Sequence, residues 1–138
     1  MLARSLQSKL IAFSLLCGAV PLAGFTTWTA WYGGNSLGSA GILDGALVAD
    51  LFAGSGAIGI EALSRGAERC VFVERDRKAL RALDDNLDAL DLRDRSKVVA
   101  ADAVSAAATI DADIVFADPP YDFDDWAQLL GRVRADLV

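Results

Sequence analysis

Residues 46–52, ALVADLF, are an apolar run broken only by Asp50, and they lead through the spacing Gly54-x-Gly56-x-x-Gly59 into AIGIEALSRGA at 57–67. The run reads as a buried strand, and the segment after the glycines as a helix ended by Gly66. A strand, a glycine turn and a helix in succession carry the chain over one face of a sheet. The following strand then returns parallel to the first.

The rest of the chain repeats that unit. CVFVE at 70–74 is a second strand, and Asp76 is placed to cap a helix from Arg77 to about Leu90. Leu80, Leu83, Leu87 and Leu90 share its apolar stripe. KVVAAD at 97–102, AVSAAAT at 103–109 and ADIVFAD at 112–118 continue as strand, short helix and strand. In the final segment Trp126, Leu129, Leu130 and Val133 fall on one helical face. Strands separated by helices of this length imply an α/β fold with a doubly wound parallel sheet.

The 138 residues make one domain, or a piece of a larger one; with 54% apolar and 23% charged residues a packed core is expected and wholesale disorder is not. There is no histidine, which removes histidine-based triads and most zinc sites. Cys17 and Cys70 lie in apolar surroundings without metal-ligand spacing, so a reducing compartment fits better than a disulfide framework. Charge is uneven: residues 44–138 hold 11 basic and 19 acidic residues, a net of −8. Any nucleic-acid binding by such a body needs a local basic patch or a basic segment missing from this chain.

Residues 10–43 carry no charge and follow Arg4 and Lys9, a texture similar to a signal peptide or membrane anchor. No small-x-small cleavage site follows, and Pro21 with several Gly and Thr interrupts the apolar run. Residues 33–40, rich in Gly and Ser, look like a linker. The division expected is therefore 1–34, an uncharged apolar segment, and 35–138, the α/β domain.

The glycine spacing lies between a strand and a helix, where free N–H groups face a ligand and glycines let it touch the backbone. Glu74 stands 20 residues after Gly54, at the end of the second strand, where a carboxylate accepts ribose hydroxyls. A nucleoside-containing cofactor is expected. A nicotinamide dinucleotide is one candidate. Asp50, four residues before Gly54, would repel a pyrophosphate and suits a cationic headgroup. Asp102 ends the third strand, to accept from an adenine amine or simply to cap the next helix. Acids at the ends of three strands suit S-adenosyl-L-methionine, whose ammonium and sulfonium are positive.

The fourth strand stops at Asp118-Pro119-Pro120-Tyr121. Two prolines halt the strand and hold Asp118 and Tyr121 on a stiff turn at its C-terminal end. ADLFAGSGAIGIEALSRGAERCVFVERD followed by ADPPYDFDDW resembles the RsmD-type 16S ribosomal RNA guanine-N2 methyltransferases. D-P-P-Y is shared with methyltransferases acting on base amines in DNA and RNA, and arises by chance in a chain this size about once in a thousand. The resemblance covers residues from about Asn35 to Val138 and implies a Rossmann-like class I methyltransferase domain. It implies no metal and no covalent intermediate.

By that resemblance the Asp118 carboxylate and the Pro119 carbonyl hold the two hydrogens of the base amine. Pro120 completes the stiff turn, and Tyr121 stacks on a base taken out of its helix. Asp50, Phe52, Gly54, Ser55 and Gly56 line the methionine side of the cofactor. Glu74 holds the ribose, Arg75 flanks the adenine, and Asp102 with Ala103 contacts it. The partner implied is 16S rRNA or a small-subunit assembly intermediate, in the cytoplasm. A membrane enters only if the apolar N-terminal segment is a genuine anchor. The other readings are a nicotinamide-dependent oxidoreductase, which leaves D-P-P-Y unexplained, and a non-catalytic remnant that binds the cofactor.

Two departures from the family pattern stand out. Upstream of Asn35 the family's basic stretch is replaced by the uncharged run, as in a targeting segment or a sequence read in a shifted frame. A complete sheet of this kind has about seven strands, and about four are legible. The expectation is an incomplete sheet whose fourth strand is a bare edge, with weak cofactor binding and poor turnover.

Overall fold

The computed structural model describes residues 10–13, 41 and 43–133. Five strands form one wholly parallel sheet: β1 (Leu10–Phe13), β2 (Leu47–Leu51), β3 (Arg69–Glu74), β4 (Ser96–Ala100) and β5 (Ile114–Ala117), in the order β1-β5-β2-β3-β4. The crossovers hold α1 (Ala57–Ser64), α2 (Arg77–Ala89) and α3 (Ala103–Ala107), and α4 (Trp126–Arg132) follows β5. The doubly wound α/β sheet expected from the alternation is the one observed.

Period-two alternation in the strands builds a core on each face. Val48, Cys70, Phe72, Ile114 and Phe116 meet Ala62 and Leu63 of α1 and Leu83 and Leu87 of α2 on one face. Ala49, Leu51, Val73, Val115 and Ala117 meet Val104 of α3 and Leu129 of α4 on the other. Phe72, Leu83 and Leu87 are fully buried, and each contributes about 1.5–3 kcal/mol by leaving water. Asp76 caps α2, its side chain accepting from the N–H groups of Lys78 and Ala79 at 2.9 Å.

From β2 the chain steps outward to β3 and β4, then crosses back to place β5 on the other side of β2. The order therefore reverses between β2 and β5, which is the switch point of the sheet. Their register runs from Val48↔Ile114 to Leu51↔Ala117, so the chain leaves the two strands side by side, at Phe52 and at Asp118.

Three expectations change. Among the described residues the sheet has five strands where about four were legible, and β5 is no bare edge. Leu10–Phe13, from within the uncharged run, pairs with it in parallel, from Leu10↔Ile114 to Phe13↔Ala117. Leu90 and Leu130 are exposed, at 54% and 46%. Leu90 follows the end of α2, whereas Leu130 lies within α4 but off its buried face, while Trp126, Leu129 and Val133 pack on the core as the spacing suggested. The remainder of the expected anchor, signal or shifted-frame segment, the 33–40 linker and Cys17 lie outside the described residues. Among the described residues no helix is long and apolar enough to cross a membrane.

Close packing of α1 on the sheet depends on Gly59. A Cβ there would lie 2.3 Å from Cε1 of Phe72 and 2.7 Å from Sγ of Cys70. Both neighbours belong to β3 and are themselves buried, so neither can withdraw. Gly59→Ala is expected to destabilise the fold by about 1–3 kcal/mol from overpacking, despite the ~1 kcal/mol that alanine adds to helix propensity. Urea unfolding measures it, and an unchanged midpoint would refute the close approach.

Candidate functional site

The loop between β2 and α1 opens with Phe52 at φ 72°, a left-handed conformation that an aromatic residue rarely takes. Strain of this kind costs about 1–3 kcal/mol and persists where the surroundings hold it. Here the next residue does so, since the N–H of Ala53 donates to the carbonyl of Val73 at 2.9 Å. The loop then tightens, with Gly56 N–H donating to Ala53 O at 2.8 Å. Gly56 precedes α1 at φ 90°, and a Cβ there would stand 2.4 Å from Cδ1 of Leu83. Only glycine meets both demands.

Glu74 orients the same loop. Its Oε2 accepts from the N–H of Gly54, and its Oε1 from the N–H groups of Arg75 and Asp76, each at 2.8 Å. Three backbone donors thus aim one carboxylate at the rim, with acceptor capacity left for a further donor. Asp102 makes the bond of a helix cap, its Oδ1 accepting from the N–H of Ser105 at 3.1 Å. Its Oδ2 stands 3.8 Å from Nη1 of Arg75.

Beneath the loop lies Asp50, almost wholly buried in β2. Its Oδ2 accepts from the N–H of Gly59 at 2.9 Å, one of the free donors at the start of α1. Its Oδ1 has no hydrogen-bond partner. Burial raises the Asp50 carboxyl to about 7 against the pull of the Gly59 N–H, and the charges of Asp118 and Glu74 push in the same direction as burial. Burial also raises Asp118 above its ordinary value. Cys70 is a free, buried thiol, raised by burial and by the charge of Asp50.

On the far side of the rim, β5 ends at Asp118 and the two prolines. The N–H of Phe123 donates to Pro120 O at 3.0 Å and closes a turn over Tyr121 and Asp122. The turn brings Phe123 edge-on against Phe52, with ring centroids 5.1 Å apart, and Trp126 packs on Phe123 at 5.3 Å.

Between the two loops is a cleft of about 500 Å³, within the usual range for small-molecule sites. Phe52, Glu74, Arg75, Asp102, Ala103, Asp118, Pro119 and Pro120, all expected from the sequence, line it together. Gly54 reaches it through its bond to Glu74. Ser55 and Gly56 shape the loop without lining the cleft, the Ser55 carbonyl accepting from Nδ2 of Asn86 at 3.0 Å. Asp50 lies below the wall, and Tyr121 is 76% exposed beyond it. Sequence reasoning missed Val73, Ala101, Val104 and Phe123 as lining, and with them the acids Asp122, Asp124 and Asp125. The acids follow D-P-P-Y directly, which was the available signal.

Carboxylates at both ends and apolar walls at Val73 and Val104 fit a cationic ligand with a flat aromatic portion. The partnerless Oδ1 of Asp50 fits positive charge near the loop.

A family model described as Conserved hypothetical protein 95 matches residues 27–136. YlbH of Bacillus subtilis (strain 168), which carries a provisional name as an rRNA methyltransferase, is 48% identical over 83 residues. That match covers 56% of this chain and 45% of YlbH. Ribosomal RNA small subunit methyltransferase D of Escherichia coli (strain K12) is 43% identical over 74 residues, covering 52% of this chain and 37% of the enzyme. Among solved structures, a conserved hypothetical protein from Streptococcus pyogenes superposes with a TM-score of 0.59 at 37% identity, over 64% of this chain and 59% of the other. The chain thus spans less than half the length of these two curated relatives.

The raised Asp50 carboxyl makes stability depend on pH. Between its ordinary value of 3.8 and about 7 the folded chain holds a proton that the unfolded chain has released, so stability falls as pH rises through that window. The full penalty above it is about 4 kcal/mol. Asp50→Asn keeps an oxygen for Gly59 N–H and removes the charge, while its unpartnered amide costs about 1–3 kcal/mol. Expected is a net gain of about 1–3 kcal/mol above pH 7 that turns into a loss of about 1–3 kcal/mol toward pH 4, read by thermal melting across that range. A difference that does not change with pH would contradict it.

Proposed function

The chain belongs to the family described as Conserved hypothetical protein 95, and on that premise we propose that it is the catalytic core of an S-adenosyl-L-methionine-dependent methyltransferase acting on a base amine of ribosomal RNA. Guanine N2 of 16S rRNA, in a small-subunit assembly intermediate in the cytoplasm, is the target that D-P-P-Y and the named relatives support. The observation that carries the reading is the pairing Leu51↔Ala117, which releases the glycine loop and the Asp118 turn onto one cleft.

The cofactor, when bound, supplies an electrophilic methyl on a sulfonium. The chain's own residues position it and its acceptor. Glu74, already aimed by three backbone N–H groups, receives the ribose hydroxyls. Arg75, Asp102 and Ala103 border the adenine, and Val73 and Val104 give it an apolar wall. Phe52 with Gly54, Ser55 and Gly56 shapes the methionine end, over the buried charge of Asp50.

On the acceptor side, the Asp118 carboxylate takes a hydrogen bond from the amine, and the carbonyl of Pro119 takes the second. Both keep the nitrogen lone pair directed toward the methyl. Pro119 and Pro120 have no N–H, so no donor from the turn competes for those acceptors. Tyr121, exposed at the lip, offers its ring to the extruded base. Rate enhancement then comes mainly from alignment, with electrostatic help from Asp118.

Calorimetry tests the cofactor: the chain is expected to bind S-adenosyl-L-methionine and not NAD. Methyl transfer to undermodified small ribosomal subunits tests the chemistry. Asp118→Ala is expected to lower turnover by about 10²-fold or more while cofactor affinity stays within about threefold. NAD binding in place of the methyl donor, or full turnover by Asp118→Ala, would sink the proposal.

A further inference from the structure

The outer face of α2 is divided by charge. Arg77, Lys78 and Arg81 are exposed on its first turns, with Arg81 one helical turn from each of the other two. Asp84, Asp85 and Asp88 occupy the same face further along. This order opposes the helix macrodipole, which favours acids at the start and bases at the end. Apart from the cap Asp76, no acid stands in the first turn, and no base in the last. The acids are reconciled locally, since Arg93 bonds both Asp84 and Asp88. The cations are less so: among the described residues no salt bridge joins Arg77, Lys78 or Arg81 to an acid, although the Lys78 charge helps hold the Asp76 carboxyl below its ordinary value, after the N–H groups of Ala79 and Lys78.

Stability does not explain three exposed cations at the positive end of a helix, in a chain of net charge −6. Their position does. α2 begins two residues after Arg75, which lines the cleft, so its first turn follows directly from the cleft wall on the β3 side, and Arg77, Lys78 and Arg81 stand outside the lining itself. The opposite lip, beyond Asp118, carries Asp122, Asp124 and Asp125. All the basic residues near the mouth, Arg75 and the three on α2, thus lie on the β3 side, where Glu74 and Asp102 also stand, and the lip beyond Asp118 is acidic throughout.

We propose that Arg77, Lys78 and Arg81 dock the phosphodiester backbone of the substrate RNA. The acidic lip repels that backbone, so the strand lies along the α2 side and its target base crosses the cleft toward Asp118. This rests on the methyltransferase reading above and adds the direction from which the nucleic acid approaches. It also supplies the local basic patch that an acidic body needs to hold a polyanion.

The probe is a fluorescein-labelled single-stranded RNA of about 20 nucleotides, followed by anisotropy at several KCl concentrations. The triple variant Arg77→Ala, Lys78→Ala, Arg81→Ala is expected to bind at least tenfold more weakly. Its slope of log affinity against log salt should flatten by about 2, at ~0.7 per phosphate on a single strand. Arg81→Glu alone should weaken binding more than Arg81→Ala. Lys97→Ala, which removes an exposed cation near the start of β4, should change neither quantity.

Because the triple variant clears cations from the positive end of a helix, its melting temperature should hold or rise. A lowered melting temperature accompanying the lost binding would assign these residues to structure and overturn the proposal. So would an unchanged slope, or an equal loss in Lys97→Ala. Calorimetry with S-adenosyl-L-methionine separates the two readings. Unchanged cofactor affinity in the triple variant confines the effect to RNA, whereas a wild-type chain that binds RNA through the patch but no methyl donor sinks the cofactor assignment alone.

Discussion

The pairing of β2 with β5 is the constraint on which the rest of the molecule depends. Both strands are buried on both faces, and β2 lies between β5 and β3, so their backbone groups have no solvent to turn to. Because the chain builds outward through β3 and β4 before returning to β5, α1 and α2 cover one face and α3 and α4 the other. Loops leaving two neighbouring strands toward opposite faces must separate, and a crevice opens between them. The cleft follows from the path of the chain, and the residues at its two strand ends decide what it holds.

Much of this was legible because the controlling interactions are local. Asp76 caps α2 with bonds to residues two and three positions on, and the glycine spacing marks a turn within seven residues. The alternation of Val48 with Ala49, or Phe72 with Val73, reports burial on two faces without reference to anything distant. What stayed hidden depends on contacts made across the fold. β1 comes from a run with no polar alternation, so nothing in its own pattern distinguishes a strand from other apolar uses. Phe123 reaches the cleft only because a turn closes on Pro120, and its partner Phe52 lies 71 positions earlier in the chain. The bond from Gly54 N–H to Glu74, made across 20 positions, depends on the curvature begun by Phe52 in its left-handed conformation.

The carboxylates form a graded series from the interior to solvent. Asp50 is buried with one oxygen partnerless, Glu74 is clamped by backbone, and Asp118 is half-buried at a strand end. Burial is the main cost carried by the Asp50 carboxyl, and the charges of Asp118 and Glu74 add to it.

The edge-on contact of Phe52 with Phe123, extended to Trp126, ties the glycine loop to the proline turn from within. Without it, each arm would fluctuate on its own tether and the gap between them would vary independently. With it, the two arms share one aromatic strut, and the spacing between the glycine loop and the proline turn is held at the width of a ring.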